Sequence, residues 1–149
     1  GASFTRSYVG YVHAVAHTLG GQYGVAHGLA NSVLLPVVLE QYGVHAHKRL
    51  ALLSRAVGVS TSPVDAEAAE AFIARIRAMN DAMNIPRAFS CIQDADIPQM
   101  VRNADREGNP LYPVPVLWGP KELERIYHLV QEERQHDRAR DPKRSDQAA

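Results

Sequence analysis

Between Arg6 and Glu40 the chain carries no aspartate, glutamate, lysine or arginine. Cysteine is almost missing as well: Cys91 stands alone, so an internal disulfide is excluded and a reducing cytoplasm is the default compartment. No His or basic residue lies beside it in "AFSCIQD", so it reads as a small buried residue and not as a nucleophile. Net charge is absent too, with 16 basic against 16 acidic residues. That balance gives no electrostatic case for nucleic acid or an anionic membrane as a partner.

Other signals are missing. The start "GASFTRSYVG" lacks a basic region followed by an apolar run, so it is no signal peptide. The uncharged stretch is broken by His13, His17, Gly20, Gly21, His27, Asn31 and Pro36, whereas a membrane span needs about 20 predominantly apolar residues. There is no repeat, and no strand pattern of useful length. "GGQYG" matches neither G-x-G-x-x-G nor a P-loop, and no strand precedes it. The chain begins on Gly inside an amphipathic pattern, as would a chain starting within a larger protein or one trimmed of a tag or an initial Met.

What is present is helical, and 149 residues suit one domain. A first helix is expected from Phe4 to Leu19, apolar almost all round through Tyr8, Tyr11, Val12 and Val15, and stopped by Gly20-Gly21. "QYGVA" is expected as a loop, then a second helix from His27 to Tyr42, kinked by Pro36 and closed by Gly43. A third runs from His47 to Val57. In the next segment Ser62 can cap, Pro63 suits the first helical position, Asp65 completes a box, and Ile85-Pro86 ends the helix. Two more are expected, from Ile97 to Arg106 and from Pro120 to Gln135, separated by "EGNPLYPVPVLWGP". Residues 1–136 form this helical unit, and 137–149 form a charged tail without apolar residues, expected to be disordered.

His13 and His17 rise from one face of the first helix, about 5–6 Å apart at Cβ. Alone, such a pair is more often two partnered helix histidines than a metal site. The Glu of H-E-x-x-H is missing, which excludes a zinc hydrolase of that kind. His27 opens the second helix just after a short loop, which brings a third imidazole back beside them. A helix start favours the neutral imidazole that a metal needs, yet it also repels a cation. A divalent ion held by neutral imidazoles alone in an apolar site keeps its full charge, which is costly to bury. Either there is no metal, or a carboxylate arrives from elsewhere: Asp94, Asp96, Asp105, Glu107, or a part of the protein outside this sequence.

The core "H-A-x-A-H-x-L-G-G" and, after a fixed gap, "H-G-x-A-N-x-x-L-L-P" resemble the metal-site signature of the iron-containing, group III alcohol dehydrogenases. "GNPLYPVP" and the closing helix are similar to the end of one branch of that family, so the resemblance spans nearly all but the tail. It implies an all-α fold, the bundle-like C-terminal domain of the dehydroquinate synthase-like arrangement, without the N-terminal α/β domain that binds NAD or NADP. It further implies a divalent metal, Fe2+ or else Zn2+ or another ion, held by one Asp and three His. His13 and His27 match two of these ligands, and the other two match nothing in this chain.

His17 matches a family histidine near the nicotinamide and substrate, and so is the candidate catalytic and cofactor-binding residue, relaying a proton or positioning the ring. Asp105 falls where the family chain returns towards the nicotinamide, a second cofactor-binding candidate whose bland reading is a solvated helix end. Gly20, Gly21 and Gly28 are expected to let the loop approach closely. Asn31 serves either the metal's surroundings or a bond within its own helix. The implied function is alcohol–carbonyl interconversion by hydride transfer, with a small alcohol or carbonyl substrate and the α/β domain as partner. The isolated chain is then expected to be inactive. The alternative is a self-standing helical interaction module without catalysis. An apolar patch on the cleft side of the first two helices would favour a homo-oligomer.

Overall fold

The computed structural model describes residues 10–110 and 112–132. Phe4, Tyr8 and the tail from 137 to 149 lie outside the described residues. Among the described residues six helices follow one another: α1 (Tyr11–Tyr23), α2 (His27–Tyr42), α3 (Val44–Ala56), α4 (Asp65–Ala82), α5 (Ile97–Gly108) and α6 (Pro120–Val130), with one 3-10 turn at Asp94–Asp96. Among the described residues there is no strand, only a lone parallel bridge between Phe89 and Gln131. The all-helical expectation holds.

Helix α1 overrides its expected stop. It runs through Gly20 and Gly21 to Tyr23 and ends at Gly24, whose φ of 67° is left-handed and whose N–H donates to the Gly20 carbonyl at 2.9 Å. Glycine inside a helix costs about 1 kcal/mol relative to alanine. Here the buried face of Tyr11, Ala14, Val15, Ala16, Thr18 and Leu19 outweighs that cost. The loop therefore shrinks to Gly24, Val25 and Ala26.

The second helix has the expected bounds, with Pro36 buried inside it. Gly43, at φ 55°, turns the chain directly into α3, which starts at Val44 and not at His47. Ser62 does not cap α4. Val64 occupies that position, while the Ser62 hydroxyl accepts from the Val64 N–H at 3.1 Å and donates to Glu67 at 2.6 Å. The last helix ends at Val130, short of Gln135, because Gln131 turns extended to pair with Phe89.

Helix α1 packs between α2 and α5; α5 leans on α6, α6 touches α2, and the α3–α4 pair joins through α2. Tyr11, Leu19, Leu34, Ile92, Ile97, Met100, Leu123, Ile126 and Tyr127 are fully buried. Each such side chain contributes about 1.5–3 kcal/mol by leaving water. Of the two described polar residues buried with them, Ser54 leaves its hydroxyl without a hydrogen bond, whereas Thr18 is matched. Thr18 Oγ1 donates to the Val15 carbonyl at 2.7 Å and lies 2.5 Å from the Tyr127 hydroxyl.

One polar knot fixes the loop between α5 and α6. The Tyr11 hydroxyl donates to Asn109 Oδ1 at 2.8 Å and accepts the Trp118 N–H at 2.9 Å. Asn109 Nδ2 donates to Asp105 Oδ1 at 2.8 Å and to the Trp118 carbonyl at 2.9 Å. The Tyr11 and Trp118 rings stack 4.9 Å apart.

The apolar patch expected beside α1 and α2 is largely elsewhere. Helix α2 exposes Leu29 and Leu35 only in part, whereas Leu52, Leu53 and Val57 of the α3 segment and Met79 of α4 stand in water. Between α2, α3 and α4 lies an open apolar groove of about 870 Å³, lined by Leu35, Leu39, Leu50, Leu53, Phe72 and Met79. The patch was expected on the cleft side of these helices because a cofactor domain would pack there; their apolar residues are instead mostly buried within the domain.

Candidate metal and reaction site

The three-residue turn at Gly24 folds the start of α2 back onto α1. His27 thereby joins His13 and His17, whose one-turn spacing already places them on a common face. The rings form a triangle: centroids are 5.2 Å apart for His13 and His27, 5.3 Å for His17 and His27, and 6.0 Å for His13 and His17. His17 and His27 are nearly parallel at 26°, and His13 stands edge-on to His17 at 83°. His13 is half-buried, while His17 and His27 are exposed at the rim.

Burial, and then the neighbouring rings of His27 and His17, push His13 below the ordinary histidine value; Glu107 pulls the other way. His13 thus tends to the neutral form that a metal ligand requires. Asn31, one turn along α2, places its Nδ2 3.0 Å from His27 Nε2; donated there, this bond within the helix occupies the lone pair of the neutral ring, which a metal ligated by His27 would have to take over. The Asn31 Oδ1 is buried without a hydrogen bond.

Of the four carboxylates considered from the sequence, one reaches the cluster. Asp94 accepts from Gln131 Nε2 at 2.7 Å, Asp96 from the Tyr23 hydroxyl at 2.8 Å, and Asp105 from Asn109 in the polar knot. Glu107 comes from the end of α5, and its Oε1 lies 2.5 Å from His17 Nδ1. The hydroxyl of Tyr112 donates to the same Oε1 at 2.8 Å. Burial first, then the hydrogen bond to Glu107, push the Tyr112 phenol up to about 12.

Tyr112 is a site residue that spacing does not announce. Glu107 had a signal: Met100, Ala104 and Gly108 mark the buried stripe of α5, and residue 107 borders it on the side facing α1.

Among the described residues no group of three or more His, Cys, Asp or Glu side chains is arranged to hold a metal ion by itself. The donor chemistry still fits part of such a site. Two imidazoles sit on facing helix segments, one held by Asn31, and the carboxylate within reach is engaged with His17. His13 and His27 fit as two donors of a shared set and not as a closed site.

The Fe-containing alcohol dehydrogenase family, in its C-terminal part, matches residues 1–128. The chain belongs to this family. It is 35% identical over 112 residues to 1,3-propanediol dehydrogenase of Klebsiella pneumoniae, covering 73% of this chain and 29% of that protein. It is 42% identical over 89 residues to alcohol dehydrogenase 4 of Saccharomyces cerevisiae, covering 58% of this chain and 22% of that protein.

Among solved structures, a 1,3-propanediol oxidoreductase superposes with a TM-score of 0.74 at 32% identity, covering 80% of this chain and 32% of that one. The alcohol dehydrogenase from Oenococcus oeni gives 0.77 at 30% identity, covering 86% and 34%. The chain thus spans about a third or less of the length of these Fe-containing alcohol dehydrogenase relatives. No helix among the described residues is long and apolar enough to cross a membrane.

Proposed function

We propose that these residues form the metal-binding helical domain of an NAD(P)-linked alcohol dehydrogenase that interconverts an alcohol with an aldehyde or ketone. The observation that carries this reading is the histidine triangle across the α1–α2 turn, in a chain of the Fe-containing alcohol dehydrogenase family. His13 and His27 would hold the divalent metal, Fe2+ in the family's name, Zn2+ or another ion by ligand chemistry alone. When bound, the metal supplies Lewis acidity at the substrate oxygen and the nicotinamide supplies or accepts the hydride.

This chain's own residues do the rest of its share. The half-burial of His13 keeps its imidazole neutral. Asn31 holds the ring of His27 until a metal takes over its lone pair. His17, exposed at the rim of the triangle and backed by Glu107, positions the reacting ring or passes the proton. Asp105 bears on the cofactor side through Asn109, which it helps to hold in the turn after Glu107. The remaining Asp and His ligands, and the dinucleotide site, belong to the α/β partner domain; without them the 149 residues alone are inactive. The single cysteine accords with a cytoplasmic setting.

Metal titration of the isolated chain by calorimetry tests the shared-site reading. Weak binding of Fe2+ or Zn2+, abolished by His13→Ala or His27→Ala, is expected. Tight one-to-one binding by the chain alone would overturn it, because two imidazoles cannot form a closed site.

A further inference from the structure

We propose that Glu107 is the positioning residue of this site, supported by Tyr112: its carboxylate selects the tautomer and direction of His17. The inference rests on the reading above, in which His17 faces the reaction.

A neutral imidazole carries its proton on one nitrogen or the other, and the partner of one nitrogen decides the role of both. An ionised carboxylate is only an acceptor, so Glu107 Oε1, 2.5 Å from Nδ1, requires the proton there. Nε2 of His17 is left with its lone pair, on a ring stacked beside that of His27.

Glu107 is itself held. Tyr112 donates to the same oxygen at 2.8 Å, and among the described residues no lysine or arginine pairs with the carboxylate. The backbone that follows it is fixed: Gly108 lies against Tyr11, and Asn109 is tied to Tyr11 and Trp118. A carboxylate anchored at this point, half-buried and with no lysine or arginine beside it, has the imidazole Nδ1–H as its donor. The pair joins α5 to α1, yet a mere tether would not need the acceptor to meet Nδ1 and to be shared with a phenol.

The expected signature is spectroscopic. Long-range 1H–15N correlation spectra of the 149-residue chain, taken at about pH 9 to keep imidazoles neutral, should show His17 as the Nδ1–H form. That form should outnumber the other by at least about fivefold, the lower end for a charge-assisted hydrogen bond partly screened by solvent. Glu107→Ala should abolish the preference, Glu107→Gln should keep most of it through its carbonyl, and Tyr112→Phe should reduce it. The wild-type spectrum alone is decisive if a variant fails to fold: His17 found as Nε2–H overturns the proposal. An unchanged ratio in folded Glu107→Ala overturns it as well.

Failure of the functional reading looks different. If the Nδ1–H form is present but His17→Ala leaves kcat of the metal-loaded two-domain enzyme unchanged, His17 has no part in the reaction. The catalytic meaning of Glu107 then falls with it, while the hydrogen bond stands.

Discussion

Gly108 lies so close to Tyr11 that a Cβ added to it would stand 2.9 Å from Cε1 and 3.0 Å from Cδ1 of the ring. The ring cannot move aside, being fully buried and stacked on Trp118. Gly108→Ala should therefore cost about 1–3 kcal/mol through overpacking, read as a lower denaturant midpoint. At Gly21, also helical but with nothing within 4 Å, the same change should stabilise by up to about 1 kcal/mol. Equal effects at the two positions would refute the close-approach argument.

Asn109 serves three partners at once, so Asn109→Ala should cost about 1–3 kcal/mol. Asp105→Asn keeps a carbonyl to accept from Asn109 and should stay within about 0.5 kcal/mol of the parent in chemical denaturation. In the two-domain enzyme, that variant should then raise the KM for the dinucleotide if Asp105 also serves the cofactor. An unaltered KM would leave Asp105 as a support of the turn only.

Alkali should unfold this domain through its interior phenols. Burial is the largest cause raising both Tyr42 and Tyr127 well above the ordinary phenol value. A group with a raised folded value contributes fully below its unfolded value, about 10, and that contribution is lost as pH rises past it. Unfolding free energy should be level between about pH 7 and 9 and fall above about 10. In Tyr127→Phe the fall should be shallower, at the expense of the Thr18 contact. Parallel slopes for parent and variant would contradict this.

The groove between α2, α3 and α4 should make the chain associate as concentration rises, since exposed apolar patches drive association. Light scattering should report a dimer or larger species, shifted towards monomer by Leu53→Glu or Met79→Glu. A monomeric parent at high concentration would count against it.

Much of this was legible before any coordinates. The i, i+4 spacing of His13 and His17 fixed their common face, Gly43 marked the end of α2, and Pro120 marked the start of α6. The return of His27 followed from the shortness of the turn. The misplaced details share a cause. Gly20-Gly21 failed as a stop, and Ser62 as a cap, because local preferences of about 1 kcal/mol yield to packing. The choice of Glu107 over Asp94, Asp96 and Asp105 is tertiary, since each of the other three found a different partner once the helices met.

His17 and Glu107 are 90 residues apart in the chain, and closing a loop of that length carries an entropy that only the assembled helices can offset. The aim of the imidazole is therefore acquired by folding and not inherited from the neighbouring sequence. A peptide copied from α1 and the start of α2 would keep all three histidines and lose the instruction that tells one of them which nitrogen to present. The ring's proton address can thus serve as a reporter of native topology, visible at a single side chain.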